Sequence, residues 1–458
     1  DLDEALDGLL IKSENWQALN LLLEKYREKV KCIYIDPPYN SPSTEIIYKN
    51  NYKHSSWISL MFERLQIAKG LLKTYGTLAI AIDGHEYTNL KQILLQAFSS
   101  ELETVVVRSN PAGRSTPKGF SLQHEYVIFA SKDSNDKVVG RLEHSEKQVE
   151  RYKEKDEIGP FEWVNFRKHG GLREESPKMY YPVFVDKRTR SWRIPEMEWN
   201  EASKEWIMLD RPNENEDIIL PTDEHGQPRR WKWSVERLRS NKDEVKVGRD
   251  RTGKLSLYIK SRIPQEGRTP PTWWDKREYS ATDSGTRALK DLFGPFGIFD
   301  YPKAPVLVED CLRVGAVGET DYVLDYFAGS GTTAHAVINL NRQDGGKRKY
   351  ILVEMGDWFE TVILPRIKRV VFCEKWKDGK PAGGNGTSHM LKYHTLEQYE
   401  DTLNNLELPR AAEGQLAFET FGDEYLLKYM LDFETQGSPS LLNLDMFKDP
   451  FAYKLKVQ

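Results

Sequence analysis

Two short stretches of the sequence carry residue types that could do chemistry. In the first, Asp36-Pro37-Pro38-Tyr39 follows the apolar run 30–35, whose β-branched and aromatic residues predict a strand. Two successive prolines cannot continue a strand ladder or a helix, so the strand must stop there. The motif therefore leaves a carboxylate, rigid carbonyls and an aromatic ring at the carboxyl end of a strand, where open α/β sheets place ligands. Taken alone, the stretch is explained equally well as a Pro-Pro turn with a capping Asp.

The second stretch, residues 327–333, joins a predicted strand (321–326) to a predicted helix (332–341). Its sequence, Phe-Ala-Gly-Ser-Gly-Thr-Thr, contains two glycines that let the backbone approach a bound ligand closely. The glycines and Ala334 also match a dinucleotide fingerprint, and Glu354 ends the next strand, where a carboxylate can accept from ribose hydroxyls. These features predict a cofactor site formed by Phe327, Gly329, Gly331, Thr332 and Glu354, with Asp325 either facing the cofactor or shaping the turn.

Several ligands are compatible with such a loop. A P-loop requires Lys followed by Ser or Thr after its last glycine, and Thr332-Thr333 does not supply that pair. A nicotinamide or flavin site and a purely structural glycine turn remain open. We favour another nucleoside-type ligand, such as S-adenosylmethionine.

The elements that must position both stretches alternate along the chain. Strands and helices follow one another to residue 131, and the pattern resumes after residue 280, which predicts a parallel α/β sheet. Residues 132–280 are rich in charge and Pro and predict an inserted, loop-rich domain. Its core material comes from tryptophans, namely Trp163, Trp192, Trp199, Trp206, Trp231 and Trp233. We therefore expect domains at 1–131, 132–280 and 281–375, followed by a linker and extension at 376–458.

Three finer expectations concern the ends of the chain. Leucines at roughly helical spacing predict one helix over residues 1–29. The Gly-rich residues 377–388 predict a flexible loop. The last 70 residues, including 404–408 and 441–446, predict a small helical extension.

Composition limits the classes of function. Hydrophobic residues make up 39% of the chain and charged residues 30%, and no run of about 18 apolar residues occurs, so we expect a soluble protein without a membrane span. The acidic start predicts no signal peptide. The three cysteines are far apart and predict neither a metal site nor a disulfide, which fits a reducing compartment such as the prokaryotic cytoplasm. With a net charge of −4, any nucleic-acid surface must be a local patch.

Together, the two stretches resemble the DNA amino-methyltransferases, which act on N6 of adenine or N4 of cytosine. The order of catalytic motif, variable insert and cofactor loop is similar to that of their circularly permuted β group. Residues 123–126 and 299–303 resemble two further motifs of the group, and an initial Asp36 looks like the adenine form. The resemblance covers residues 1–131 and 281–372, and the modification subunits of type III restriction systems look most similar.

This resemblance carries implications for fold and partners. It implies a doubly wound, mostly parallel seven-stranded sheet with helices on both faces and a target-recognition domain at 132–280. It also implies S-adenosylmethionine as cofactor, with Lys303 added to the cofactor residues, and double-stranded DNA as substrate. A homodimer and a restriction subunit with nuclease or translocase activity are further partners that it allows.

The residues of the motif suit this chemistry. The amino lone pair of adenine is delocalised into the ring, so Asp36 and the carbonyl of Pro37 or Pro38 would accept both N–H bonds and favour the geometry that attack requires. Tyr39 offers a face on which an extruded base can stack. No cysteine lies at the motif, which argues against the covalent route to carbon 5 of cytosine, and Cys32 is expected in the core. In-line transfer requires no metal.

The strongest local basic signal lies at residues 229–262, which contain twelve Lys or Arg and four Asp or Glu. Basic residues interleaved with aromatic ones suit phosphate contacts and stacking, although a solvated charged face would have the same composition. The predicted DNA-binding residues are Arg229, Arg230, Lys232, Arg249 and Arg251, together with Asn40, Arg108 and Arg114. N4-cytosine transfer, a nicotinamide-dependent oxidoreductase and a catalytically inactive DNA-binding subunit are the alternative functions.

Overall fold

The computed structural model describes residues 4–40, 53–98, 103–113, 119–133, 139–295, 297–397, 406–407 and 454–455. They form two compact units. The first combines Asp1–Leu142 with Thr269–Gln458, and the second is the inserted segment Glu143–Arg268. The insert is shorter at both ends than the expected 132–280, because the Gly140 amide bonds to the Val314 carbonyl and residues 273–274 pair with a strand of the first unit.

The helices and strands follow one another along the chain in three segments. The first segment contains β1 (Gly8–Lys12), α1 (Asn15–Tyr26), β2 (Val30–Ile35), α2 (Lys53–Leu71), β3 (Leu72–Ile82), α3 (Tyr87–Ala97), β4 (Glu103–Val107) and β5 (Glu125–Ser131). The insert contains α4 (Glu146–Val149), β6 (Glu154–Lys155), β7 (Pro160–Asn165), β8 (Arg167–Leu172), β9 (Val183–Asp186), β10 (Trp192–Arg193), β11 (Met197–Asn200), β12 (Glu205–Met208), β13 (Glu216–Ile219), β14 (Arg229–Trp231), α5 (Val235–Ser240), β15 (Val245–Arg249) and β16 (Leu255–Arg262). The last segment contains β17 (Trp273–Trp274), α6 (Arg287–Phe293), α7 (Pro305–Val314), β18 (Tyr322–Asp325), α8 (Thr332–Asp344), β19 (Lys349–Glu354), α9 (Leu364–Phe372), β20 (Lys375–Lys377), β21 (Lys380–Gly383), β22 (Leu391–Thr395), β23 (Leu406–Glu407) and β24 (Lys454–Leu455).

The first unit is built on one mixed, mostly parallel sheet. In the described residues it has nine strands, in the order β17-β4-β5-β3-β2-β18-β19-β1-β22, rather than the seven that the family resemblance implied. Strand β5 is antiparallel to both of its neighbours, and every other pair in this sheet is parallel. The mostly parallel sheet is therefore confirmed, and the strand number is corrected.

Two predictions near the sheet edge were wrong. Residues 1–29 do not form one helix, because Gly8–Lys12 is a strand between β19 and β22, and only Asn15–Tyr26 is helical. The leucine-rich run fits either element by periodicity, and Leu9, Leu10 and Ile11 are buried as in a central strand. Residues 377–388 are likewise not a flexible loop throughout, since Lys375–Lys377 and Lys380–Gly383 form an antiparallel hairpin.

The predicted C-terminal helical extension is also corrected where it can be compared. Leu391–Thr395 is a strand of the main sheet, and Leu406–Glu407 pairs with Lys454–Leu455. The remaining residues of the ranges 404–408 and 441–446 lie outside the described residues.

The sheet buries both of its faces. On β2, the side chains of Val30, Ile33 and Ile35 pack with helices α1, α2 and α3, whereas Cys32 and Tyr34 belong to the core beneath α6 to α9. Alternation along the strand therefore produces two separate cores, which is the doubly wound arrangement. None of the helices in the described part of the chain is long and apolar enough to cross a membrane.

The inserted unit has its own aromatic core between small antiparallel sheets. The largest sheet has the order β15-β16-β7-β6. Trp231 is almost completely buried and stacks on Phe166 with ring centroids 5.0 Å apart. The partly buried Trp192, Trp206 and Trp233 pack against this core, and Trp163 and Trp199, also partly buried, are not part of it.

Candidate active site

The two chemically interesting stretches meet at the middle of the sheet. Strands β2 and β18 are parallel neighbours, with Ile33 opposite Leu324. The chain continues from them to opposite sides of the sheet, so the loops that follow diverge and leave a crevice at the carboxyl ends. A pocket of about 610 Å³ opens there, lined by Asp36 to Tyr39 on one side and by the loop after β18 on the other. The two stretches therefore line one pocket.

The carbonyl of Pro38 already has a partner. It accepts a hydrogen bond of 2.8 Å from Nε1 of Trp57, a fully buried residue of α2. Within the described residues, no hydrogen bond reaches the Pro37 carbonyl or Oδ1 of Asp36, although Oδ1 forms an ion pair with Lys303, and both residues line the pocket. Of the two carbonyls considered from the sequence, that of Pro37 is therefore the one available to a ligand.

Asn40 ends the motif and is anchored beneath it. Its φ of 55° lies in the left-handed region, which Asn adopts more readily than most residues. Its amide donates to Oε1 of Glu86 at 2.7 Å, and the fully buried Glu86 also contacts Asn89 and His54. The predicted DNA-binding role of Asn40 does not match this placement, because its amide nitrogen is committed to a buried carboxylate. The sequence indicated Asp36 to Asn40 but missed the Glu86 anchor.

Lys303, expected among the cofactor residues, directs its side chain to the catalytic motif instead. Its Nζ lies 3.2 Å from Oδ1 of Asp36 and 3.0 Å from Oε2 of Glu125, and it donates to the hydroxyl of Tyr39. Burial opposes the charged form, but Asp36 and Glu125 outweigh it and raise the pKa of Lys303. Its backbone carbonyl meets the cofactor loop, where it accepts from the Thr332 hydroxyl.

Glu125 belongs to the motif recognised at residues 123–126, but the sequence analysis did not assign it a role in the site. It begins β5, it is buried, and its Oε2 accepts from both Lys303 and the hydroxyl of Tyr39. Its Oε1 has no hydrogen-bond partner among the described residues. The available signal was a carboxylate directly before the apolar run 126–130. A charge next to a buried strand is itself buried only when it has a partner, so such a position indicates an ion pair or a site.

Asp325 shapes the turn into the cofactor loop. It is 3% exposed, accepts from the Phe327 amide at 3.0 Å and accepts a hydrogen bond from the Thr333 hydroxyl. Burial raises the pKa of Asp325 to about 7, against the opposing effect of these two hydrogen bonds. Because it also lines the pocket, the two roles considered for it from the sequence are compatible.

Glu354 holds the loop through its backbone. Its Oε2 accepts from the Gly329 amide at 2.8 Å, and its Oε1 accepts from the amides of Met355 and Gly356. The ribose contact expected from the sequence stays a prediction, since Glu354 is not among the pocket-lining residues of the described chain. Gly329 and Gly331 have φ of 52° and 79°, and a Cβ on Gly331 would lie 3.3 Å from Ile363. The loop therefore requires glycine at both positions.

A buried arginine supports the loop from behind. Arg366 of α9 is fully buried and donates to the Ser330 carbonyl and to the hydroxyls of Ser330 and Thr332. Burial lowers the pKa of Arg366 to about 9. The sequence indicated this residue only as part of a helix, because its partners become visible only in the folded chain.

These features fit a cationic nucleoside cofactor such as S-adenosylmethionine. The glycine loop exposes backbone at the pocket wall, and Phe327, Gly329 and Thr332 line it. Asp325 has no cationic partner among the described residues, so a bound positive charge would find a carboxyl group in place. Tyr34, Asp36 and Glu125 also line the pocket, and each has one side-chain oxygen without a hydrogen-bond partner among the described residues.

The predicted DNA-binding residues of the insert differ in their surroundings. Arg229 pairs with Asp223 at 2.8 Å and Arg230 with Glu175 at 3.3 Å, while burial lowers the pKa of Lys232. In contrast, Arg249 and Arg251 are exposed at the turn of the β15–β16 hairpin. The exposed pair is therefore better placed for phosphate contacts than the other three.

The remaining DNA-binding candidates lie in the first unit. Arg108 follows β4 and is partly buried, and its amide bonds to the Trp274 carbonyl. Arg114 lies outside the described residues.

Comparison with known proteins identifies the family. The sequence profile described as DNA methylase matches residues 30–364, which include both motifs and the whole insert. The chain therefore belongs to the DNA methylase family.

Particular relatives resemble the chain over most of its length. It is 30% identical to the type III restriction-modification enzyme EcoPI Mod subunit of Escherichia phage P1, over 76% of this chain and 57% of that protein. It is 30% identical to the type II methyltransferase M.KpnI of Klebsiella pneumoniae, over 77% of this chain and 81% of that protein. The crystal structure of M1.HpyAVI is 13% identical, with a TM-score of 0.33 over 79% of this chain and 98% of that chain. The chain thus spans little more than half the length of the EcoPI subunit.

Proposed function

We propose that this chain is a site-specific DNA methyltransferase that transfers a methyl group from S-adenosylmethionine to N6 of an adenine flipped out of the duplex. The observation that carries the proposal is the pocket in which Asp36 to Tyr39 and the glycine loop face each other from neighbouring strands. Membership of the DNA methylase family supports the same reaction class.

The chain's own residues have separable roles in this reaction. Asp36 and the Pro37 carbonyl are the acceptors for the two N–H bonds of the amino group, and proline holds its carbonyl rigidly. Tyr39 provides the stacking face, and its hydroxyl is fixed by Glu125 and Lys303. Burial raises the pKa of Tyr39 well above its usual value, so the hydroxyl stays protonated and donates to Glu125.

The cofactor side of the pocket has its own set of residues. Phe327, Gly329 and Thr332 would hold the nucleoside, and Asp325 would accept from its ammonium group. When bound, S-adenosylmethionine supplies a methyl group that the sulfonium already activates. No metal is part of this proposal, since positioning and charge are sufficient for in-line transfer.

We further propose that the inserted unit recognises the target sequence. Its 27 basic and 25 acidic residues nearly cancel, so any DNA contact must come from a patch rather than from net charge. The exposed cations of the β15–β16 hairpin provide such a patch. The type III relatives support a place in a restriction-modification system, with a restriction subunit as partner and a homodimer as the assembly to test.

The test is a methyl-transfer assay with product identification. The chain is incubated with DNA of mixed sequence and methyl-labelled S-adenosylmethionine, and the DNA is digested to nucleosides. We expect label in N6-methyladenine, its loss in Asp36→Ala, and nearly unchanged cofactor binding by that variant. Label in N4-methylcytosine, or no label on any DNA, would overturn the proposal. Asp321→Ala is a matched control, because Asp321 pairs with Lys73 and is not among the pocket-lining residues described.

A further inference from the structure

Lys303 connects two carboxylates that enter the pocket from different strands. Its Nζ is 3.2 Å from Asp36, which follows β2, and 3.0 Å from Glu125, which begins β5. The Lys303 side chain is only 11% exposed, and that of Glu125 only 9%. A single ammonium group thus neutralises one of two nearby carboxylates, and the cluster keeps a net charge of −1.

The ammonium group of Lys303 is directed at three oxygens of the catalytic motif and β5. It donates hydrogen bonds to Oε2 of Glu125 and to the Tyr39 hydroxyl, and it forms an ion pair with Oδ1 of Asp36. Its Nζ also lies 4.8 Å from the centroid of the Tyr39 ring, at the hydroxyl end of that ring. Lys303 therefore fixes the hydroxyl end of the ring on which a base would stack.

We propose that Glu125 and Lys303 are a positioning pair that sets both the charge of Asp36 and the orientation of Tyr39. This inference rests on the proposed methyl transfer and deepens it. Lys303 locks the two carboxylates and the Tyr39 hydroxyl into one geometry, and Glu125 offsets the positive charge that Lys303 brings to the catalytic carboxylate.

The charge balance matters because methyl transfer moves positive charge. With S-adenosylmethionine bound, the charge would pass from the sulfonium to the amino nitrogen as the N–C bond forms and the S–C bond breaks. Neutral S-adenosylhomocysteine would leave, and the methylated nitrogen would then lose one proton to solvent through Asp36. A negative cluster around Asp36 stabilises the charge where it arrives. Without Glu125, the positive charge of Lys303 would cancel the negative charge of Asp36. Without Lys303, the two carboxylates would compete for a proton.

Two single variants separate these effects. Glu125→Gln keeps the shape and an acceptor oxygen but makes the cluster neutral, so we expect single-turnover methyl transfer to slow by about 10-fold to 100-fold on the pH plateau. Lys303→Met leaves two facing carboxylates, so we expect the acid limb of the pH–rate profile to move to higher pH by about one to three pH units. Neither variant should change the affinity for S-adenosylhomocysteine by more than about twofold, because the pair does not hold the cofactor.

The double variant provides the decisive comparison. Lys303→Met with Glu125→Gln restores a net charge of −1, so its acid limb should return toward the wild-type position and its rate near pH 6 should exceed that of Lys303→Met alone. If the pair has only a structural role, the acid limb of the pH–rate profile should stay where it is in the wild type. The double variant should then transfer methyl groups no faster than the slower of the two single variants, and that result would overturn the proposal. Loss of cofactor affinity in Lys303→Met would overturn it as well.

Losing the ion pairs of Lys303 could also lower the stability of the fold, so a control variant replaces another lysine that pairs with a buried carboxylate. Lys276 lies 2.6 Å from the buried Asp310 and is not among the described pocket-lining residues, so Lys276→Met reports the effect of losing such an ion pair alone. If Lys303→Met unfolds, Glu125→Gln still tests the charge argument, and an unchanged plateau rate in that variant would contradict it. Absence of methyl transfer by the wild-type chain would instead refute the proposed function, so the two failures are distinguishable.

Discussion

The carboxylate of Glu354 accepts a hydrogen bond of 2.8 Å from the backbone amide of Gly329. This contact joins the end of β19 to the glycine loop after β18, and two further amides bond to the other oxygen of Glu354. An acidic residue expected to bind ribose thus also shapes the loop on which a cofactor would lie.

Glu354→Ala should weaken cofactor binding by loosening this loop. Three amides lose their acceptor, although water can replace it at the more exposed Met355 and Gly356, so we expect about tenfold weaker binding of S-adenosylhomocysteine, or about 1.4 kcal/mol. Titration calorimetry measures this change. Glu360→Ala is the control, because it removes a partly exposed ion pair with Lys12 and a hydrogen bond from Tyr393, both away from the glycine loop, and should leave the affinity unchanged.

Asp325 should make stability depend on pH. Its folded pKa of about 7 lies above the ordinary 3.8, so the folded chain binds the extra proton between these values. The free energy of unfolding therefore falls as pH rises through this window, by about 1.4 kcal/mol for each pH unit between the two pKa values, and the loss is complete above pH 7. Denaturation of wild type and Asp325→Asn at pH 5, 6, 7 and 8 tests this, and parallel curves for the two proteins would contradict it.

Ligand binding should change that pH dependence. A cationic cofactor beside Asp325 favours the ionised carboxylate, so the affinity for S-adenosylhomocysteine should rise between pH 5 and 7 in wild type. In Asp325→Asn the same affinity should be lower at pH 8 and independent of pH. Equal pH profiles in both proteins would exclude Asp325 as the group concerned.

Trp57→Phe should damage the catalytic motif without affecting the cofactor. The change removes the donor to the Pro38 carbonyl and leaves space at a fully buried position, so we expect a loss of about 1–3 kcal/mol in unfolding free energy. The methyl-transfer rate should fall because the Pro37 carbonyl is less well held, while cofactor affinity stays unchanged. A parallel loss of affinity and rate would contradict this separation.

The hairpin cations should determine how salt affects DNA binding. Arg249, Arg251 and Lys254 are exposed around the β15–β16 turn, so replacing all three by Gln should lower the salt slope of binding by about 2–3. Fluorescence anisotropy between 50 and 200 mM salt, roughly the range in which such effects are large, measures this slope. Arg229→Gln with Arg230→Gln is the matched control, since both guanidinium groups already pair with carboxylates. An equal effect of both sets would exclude a specific role for the hairpin.

Several long elements were predictable because their patterns are local. The strand Val30–Ile35 is as expected, and the strand and the helix on either side of the glycine loop were expected within a few residues. The strand Gly8–Lys12 was not predictable, because an apolar run of that length is compatible with a helix until a partner strand is known. The nine-strand sheet could not be derived either, since short strands such as Trp273–Trp274 exist only through pairing.

In the candidate site too, the sequence indicated several of the residues but not the partners that hold them. Asp36, Tyr39 and the glycine loop were indicated by sequence alone and lie together in the pocket. The hydrogen bonds of Glu86, Glu125 and Arg366 were not predicted, because a buried charge in a sequence looks like any surface charge until its partners are known.

The sequence by itself determined that a carboxylate with rigid carbonyls ends one strand and a glycine loop ends another, because both patterns depend on neighbouring residues. Only the tertiary structure decided how these groups are held. Asn40 bonds to a residue 46 positions away, and Tyr39 to one 264 positions away. Such contacts depend on strand order and on which side chains share a buried volume, and those are properties of the folded chain.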